Sequence, residues 1–142
     1  KKIRIETGLS IGEIKQAVEK AEGDEKKALE ILKELGIKQM EKRAEKEVHQ
    51  GRVATYTHTT GKIGVMVELL CETDFVAKNE EFVAVTKDLC LQIAAMNPET
   101  VDELLEMEFV KDTSKKIKDL ITALVGKFGE NIKIGRMARF EI

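Results

Sequence analysis

Residues 63–79 read IGVMVELLCETDFVAKN. Val65, Val67, Leu69 and Cys71 fall on alternate positions, so a strand through them would turn one apolar face inward. Just upstream, Gly51 to Thr59 carries Val53, Ala54, Tyr56 and several Thr, a β-prone composition. Thr60-Gly61 is a turn signal between the two stretches, and together they predict a hairpin. Beyond Cys71 the alternation stops. A turn around Thr73-Asp74 leads into a helix from about Asn79 to Met96, with Phe82, Val85, Leu89, Ile93 and Met96 as its stripe. Asn97-Pro98 ends it, because Pro restricts the residue before it and cannot continue the helical hydrogen bonding.

A short helical piece is expected around Val101 to Met107. A longer helix follows from about Ser114 to Phe128, with Ile117, Leu120, Ile121, Leu124, Val125 and Phe128 at 3.6-residue spacing, closed by Gly129. The last segment places Ile132, Ile134, Phe140 and Ile142 on one alternating face and reads as a strand that pairs with the hairpin. The fold class is therefore α+β: over residues 51–142, a three-stranded antiparallel sheet packs against helices.

Upstream of this core, residues 1–37 read as three short helices joined by Gly-containing turns. Ser10 with Glu13 suits a capping box, Asp24 caps the next helix, and Gly36 is placed to end it. Such a bundle is marginal alone. Residues 38–50 are mostly charged; Met40, Ala44 and Val48 form a narrow seam, which reads as a solvated linker helix. The chain begins with Lys and not Met, so the native N-terminus is expected to be incomplete.

The chain has 142 residues, with 24 Lys and Arg against 26 Asp and Glu, a formal net charge of −2. That balance, with five Phe, one Tyr and no Trp, argues against an RNA-binding protein, which needs basic charge and stacking surfaces. No apolar run approaches the ~20 residues of a membrane span, and KKIRIETGLS lacks the apolar stretch of a signal peptide, so a cytoplasmic location is expected. His49 and His58 have no Cys or carboxylate cluster at metal-ligand spacing. Cys71 and Cys90 are expected to be small buried apolar residues and not a redox pair. There is no phosphate-binding Gly-rich loop and no catalytic constellation, so neither an enzyme nor a cofactor is indicated.

The segment Cys71 to Asn79 is the exception to a purely structural account, because it sets a Phe in a turn of an aromatic-poor chain. Composition alone favours burial of Phe75 and a helix cap for Asp74. The same residues carry a resemblance. TDFVAKN after VMVELLCE closely resembles the signature of bacterial elongation factor Ts. TGLSIGEIKQAVEKAEGDEKKALEILKELG resembles that family's N-terminal ubiquitin-associated-type three-helix module. KDLCLQIAAMNP, FVKD and GENIKIGRMARFEI resemble its later blocks, so the likeness covers nearly the whole chain.

What the resemblance implies is guanine-nucleotide exchange during translation elongation: binding to elongation factor Tu, faster GDP release, and no bond-making chemistry. In the family the TDFV segment approaches the partner's magnesium and phosphate region, which carries over to Thr73, Asp74, Phe75 and Val76. The N-terminal module offers a second contact, where Ile11 and Gly12 stand in place of the usual Met side chains. Gln92 stands where members often have His, a further expected contact. Between Pro98 and Phe109 only Glu99 to Glu108 intervene, where the family has a long helical insertion. Short members work as homodimers, so a homodimer is expected, with no direct nucleic-acid or membrane contact. The competing reading is a plain interaction module whose N-terminal bundle recognises ubiquitin or another helix; it has no use for the TDFVAKN block.

Overall fold

A computed structural model describes residues 44–142 continuously and, before them, residues 27, 30–32 and 38. Of the expected three-helix module only Lys27 and residues 30–32 are described, all helical and in the segment read as its third helix; the rest, with Ile11 and Gly12, lies outside the described residues. Of the 38–50 stretch, Lys38 and Ala44 are helical, residues 45–49 are neither helix nor strand, and Gln50 already opens a strand.

The hairpin forms as the alternation predicts. Strand β1 (Gln50–Thr57) pairs antiparallel with β2 (Ile63–Cys71), with Gln50 opposite Cys71 and Thr57 opposite Gly64. Gly51 faces Leu70 so closely that a Cβ there would stand 2.4 Å from the Leu69 carbonyl oxygen, which is why a residue without a side chain occupies the position. A four-residue helix, α1 (Asp74–Ala77), follows β2, and α2 (Glu80–Met96) begins after Asn79, whose Oδ1 accepts the Glu81 N–H at 2.9 Å. Asn97 closes α2 in the left-handed region at φ 48°. The connector after Pro98 forms α3 (Val101–Glu106), capped by the Thr100 hydroxyl. A small hairpin of β3 (Glu108–Phe109) and β4 (Asp112–Lys116) leads to α4 (Ile117–Phe128), and β5 (Lys133–Glu141) ends the fold.

The sheet order is β1-β2-β5, all antiparallel, so β2 is central. Its four alternating residues Val65, Val67, Leu69 and Cys71 are buried beneath α2, which lies across β1 and β2. The core continues through Phe82, Leu89, Cys90 and Ile93 of α2, Leu104 of α3, and Ile117, Ile121, Leu124 and Val125 of α4. Leu120 and Phe128 pack partly against it, whereas Met96, expected in the stripe, is exposed in the last turn of α2.

Two expectations are corrected. The helix predicted from Ser114 starts at Ile117, because Ser114 is spent on an Asx turn. Asp112 Oδ1 accepts both its N–H at 3.1 Å and its hydroxyl at 2.6 Å, and Asp119 Oδ2 accepts the Lys116 N–H at 2.8 Å, which sets the helix start three residues later. The last strand does not keep one face throughout. Leu69 lies opposite Ile134 but Val67 lies opposite Met137, so β5 carries an extra residue there. A bulge reverses the parity of everything beyond it. Ile132 and Ile134 are buried, Met137 and Arg139 take the inner positions that follow, and Phe140 and Ile142 are left exposed.

Candidate functional site

The turn between β2 and α2 is built by a single helical turn. Successive helical residues are about 100° apart, so when Val76 and Ala77 enter the core, Asp74 and Phe75 must face out. Val76 keeps 8% of its surface exposed and Ala77 3%, while Phe75 keeps 89%. Composition favoured burial of Phe75; the structure reverses that, because its two successors take the inward positions. Asp74 is not the cap either. Thr73 is, with its hydroxyl oxygen accepting the Val76 N–H at 3.4 Å, and Asp74 occupies the first helical position, where a carboxylate is favoured by the helix dipole. The Asp74 carboxylate also pairs with Lys78 one turn on, at 2.7 Å.

Residues from the far end of the chain hold this turn in place. Glu130 Oε1 accepts the N–H groups of Glu72 and Thr73 at 3.1 and 3.0 Å, and Glu130 Oε2 accepts the Thr73 hydroxyl at 2.7 Å. In return, Glu72 Oε2 accepts the Asn131 N–H at 2.6 Å. The Asn131 amide donates to the Lys46 carbonyl at 2.7 Å, which brings the segment before β1 against the same corner. The Cys71 thiol donates to the Thr73 carbonyl at 3.1 Å. Burial, with Glu130 nearby, pushes the Cys71 thiol up, and burial pushes Cys90 up to about 11, so both are neutral thiols and poor nucleophiles near pH 7.

The sequence-predicted residues therefore separate. Thr73, Asp74 and Phe75 share one exposed ledge, and Val76 anchors it from below. Gln92 is elsewhere and fully buried: its amide nitrogen donates to the Glu108 carbonyl and its oxygen accepts the Val110 N–H, both at 2.9 Å. Its hydrogen bonds are spent on the β3 segment, and as folded it offers nothing to a partner. Glu130 and Asn131 were missed as site residues. The available signal was a polar pair directly after the helix-closing Gly129, where a side chain can reach back to another loop.

Among the described residues no group of three or more His, Cys, Asp or Glu could hold a metal ion. No described helix is long and apolar enough to cross a membrane. The chemistry available to the ledge is contact: an apolar wedge, a carboxylate beside it and a hydroxyl-capped turn beneath.

A family model for Elongation factor TS matches residues 72–142. The protein named Elongation factor Ts in Oleidesulfovibrio alaskensis is 34% identical over 187 positions, covering 100% of this chain and 94% of that relative. Its namesake in Thermodesulfovibrio yellowstonii is 37% identical over 186 positions, with coverages of 100% and 93%. The Elongation factor Ts of Clostridium acetobutylicum is 43% identical over 140 positions, 99% of this chain but 45% of that longer protein.

Proposed function

The chain belongs to the elongation factor Ts family of translation elongation factors, and from that premise we propose that it is a guanine-nucleotide exchange factor for elongation factor Tu, working in the cytoplasm. The observation that carries the proposal is Phe75, 89% exposed beside Asp74 on a turn whose other residues are buried or hydrogen-bonded. Leaving a Phe in water is unfavourable by roughly 1.5–3 kcal/mol relative to burial. Insertion into a partner recovers that, and the recovered energy is available to distort the partner.

In this reading Phe75 wedges against the helical part of elongation factor Tu that supports its magnesium ion. Asp74 exchanges Lys78 for partner groups near the phosphates, and Thr73 and Val76 keep the ledge rigid. No bond is made or broken. Because coupling is reciprocal, the factor that weakens GDP binding is itself held less tightly by the GDP-bound partner. A thousandfold faster release needs roughly 4 kcal/mol off the barrier, within reach of one buried aromatic and a few polar contacts.

The test is release of labelled GDP from elongation factor Tu with and without the protein. Acceleration is expected, and none at saturating concentration would sink the proposal. We also propose a second copy as the occupant of the sheet face that is open among the described residues. Val53, Met66 and Phe140, at 55, 51 and 77% exposure, lie there on one side, with Ala138 between them.

A further inference from the structure

We propose that Glu130 is the positioning residue of the Thr73–Val76 ledge, a role that rests on the exchange reading above. Val76 and Ala77 anchor the C-terminal half of the turn in the core, but its exposed half, Thr73 to Phe75, has no packing of its own to hold its shape. The β2 ladder ends at Cys71, α1 has 4 residues, and Phe75 is nearly all in solvent. An isolated helix of that length does not persist in water. The missing order comes from a residue 57 positions away: one carboxylate takes two successive backbone N–H groups on Oε1 and the capping hydroxyl on Oε2. Three hydrogen bonds from one side chain onto two adjacent residues fix the peptide plane from which Asp74 and Phe75 project.

Glu130 is itself held on both sides. Gly129 before it closes α4 in the left-handed region at φ 69°, with its N–H on the Val125 carbonyl at 2.9 Å. Asn131 after it is buried and bonded to Glu72 and Lys46. The carboxylate therefore reaches the turn from a rigid helix end. Glu130 touches no partner atom in this scheme; it acts through Thr73.

Two substitutions separate reach from charge. Glu130→Gln keeps the length: its oxygen still accepts both N–H groups, and its amide donates to the Thr73 hydroxyl oxygen. Glu130→Asp keeps the charge but withdraws it by one methylene. The readouts are the maximal rate of GDP release at saturating factor and the hydrogen exchange of the Thr73 amide. Positioning predicts that the Gln variant stays within about twofold of the parent, and that the Asp variant loses roughly tenfold or more with a faster-exchanging Thr73 amide. An Asp variant equal to the parent in both readouts overturns the proposal. So does a Gln variant that fails while Asp succeeds, which would assign the effect to charge. If the parent itself does not accelerate release, the presentation of Asp74 and Phe75 to that partner falls with the exchange reading, and Thr73 protection then decides the brace by itself.

Discussion

Phe75 and Val76 are neighbours with opposite fates, and their substitutions should separate function from folding. Phe75→Ala removes a side chain that is 89% exposed, so the stability change is expected within about 0.5 kcal/mol, with unchanged circular dichroism and a large loss of stimulated GDP release. Val76→Ala removes two buried methyl groups and should cost on the order of 1.5–3 kcal/mol in urea unfolding. If Phe75→Ala instead unfolds the chain, its role is structural. The buried thiols give a check on the core. Burial pushes Cys90 up to about 11, so alkylation at pH 8 should be slow in the folded protein and fast in denaturant.

At the scale of elements, the bulge in β5 is the decisive irregularity. It is closed by Glu68 of the central strand, whose Oε1 accepts the Arg136 N–H at 2.7 Å while its carboxylate pairs with the Arg136 guanidinium at 3.0 Å. A Cβ on Gly135 would stand 2.8 Å from that same carboxylate oxygen. These bonds lower Glu68 from its ordinary 4.5 to about 2, chiefly through the Arg136 side chain. A carboxylate with a depressed folded-state value stabilises fully above its unfolded value and loses that contribution as pH falls through the folded one. The parent should therefore lose stability more steeply than Glu68→Gln between about pH 4.5 and 2, as read from urea midpoints across that range; parallel curves would show that the pair adds nothing. The sequence reading passes over the bulge because Ile132, Ile134, Phe140 and Ile142 share one parity, although Arg136 interrupts that face and Met137 falls on the other. Only the Glu68 carboxylate on the neighbouring strand shows where the extra residue sits.

At the scale of the whole molecule, α2 covers one face of the sheet, and among the described residues the other face is left open. Phe140 is paired opposite Gly64, which gives it no side chain to lie against. A sheet with an uncovered apolar stripe is stabilised by burying it, and a self-complementary patch is suited to a two-fold contact. The parent is expected to run as a dimer in light scattering. Phe140→Asp should shift it to monomer with circular dichroism intact, because the substituted side chain is 77% exposed in the single chain. A monomeric parent would exclude the second copy as occupant.

The sequence by itself determined β1, β2, α2, α3, α4 and β5 in order and kind, because hairpin alternation, helical stripes, Asn79 at a helix start and Asn97-Pro98 at its end are local signals that few neighbours can override; α1 and the β3–β4 hairpin, too short to carry a periodic signal, came only with the tertiary structure. The sequence also marked Cys71 to Asn79 as the place to look. Tertiary structure alone decided which side chains of that segment face outward, that Gln92 is turned inward onto Glu108 and Val110, and that Glu130 and Asn131 belong to the site. The physical reason is distance along the chain: the hydrogen bonds that shape the ledge join residues 57 to 59 positions apart, and periodicity in one segment carries no information about a carboxylate brought to it by the folding of another.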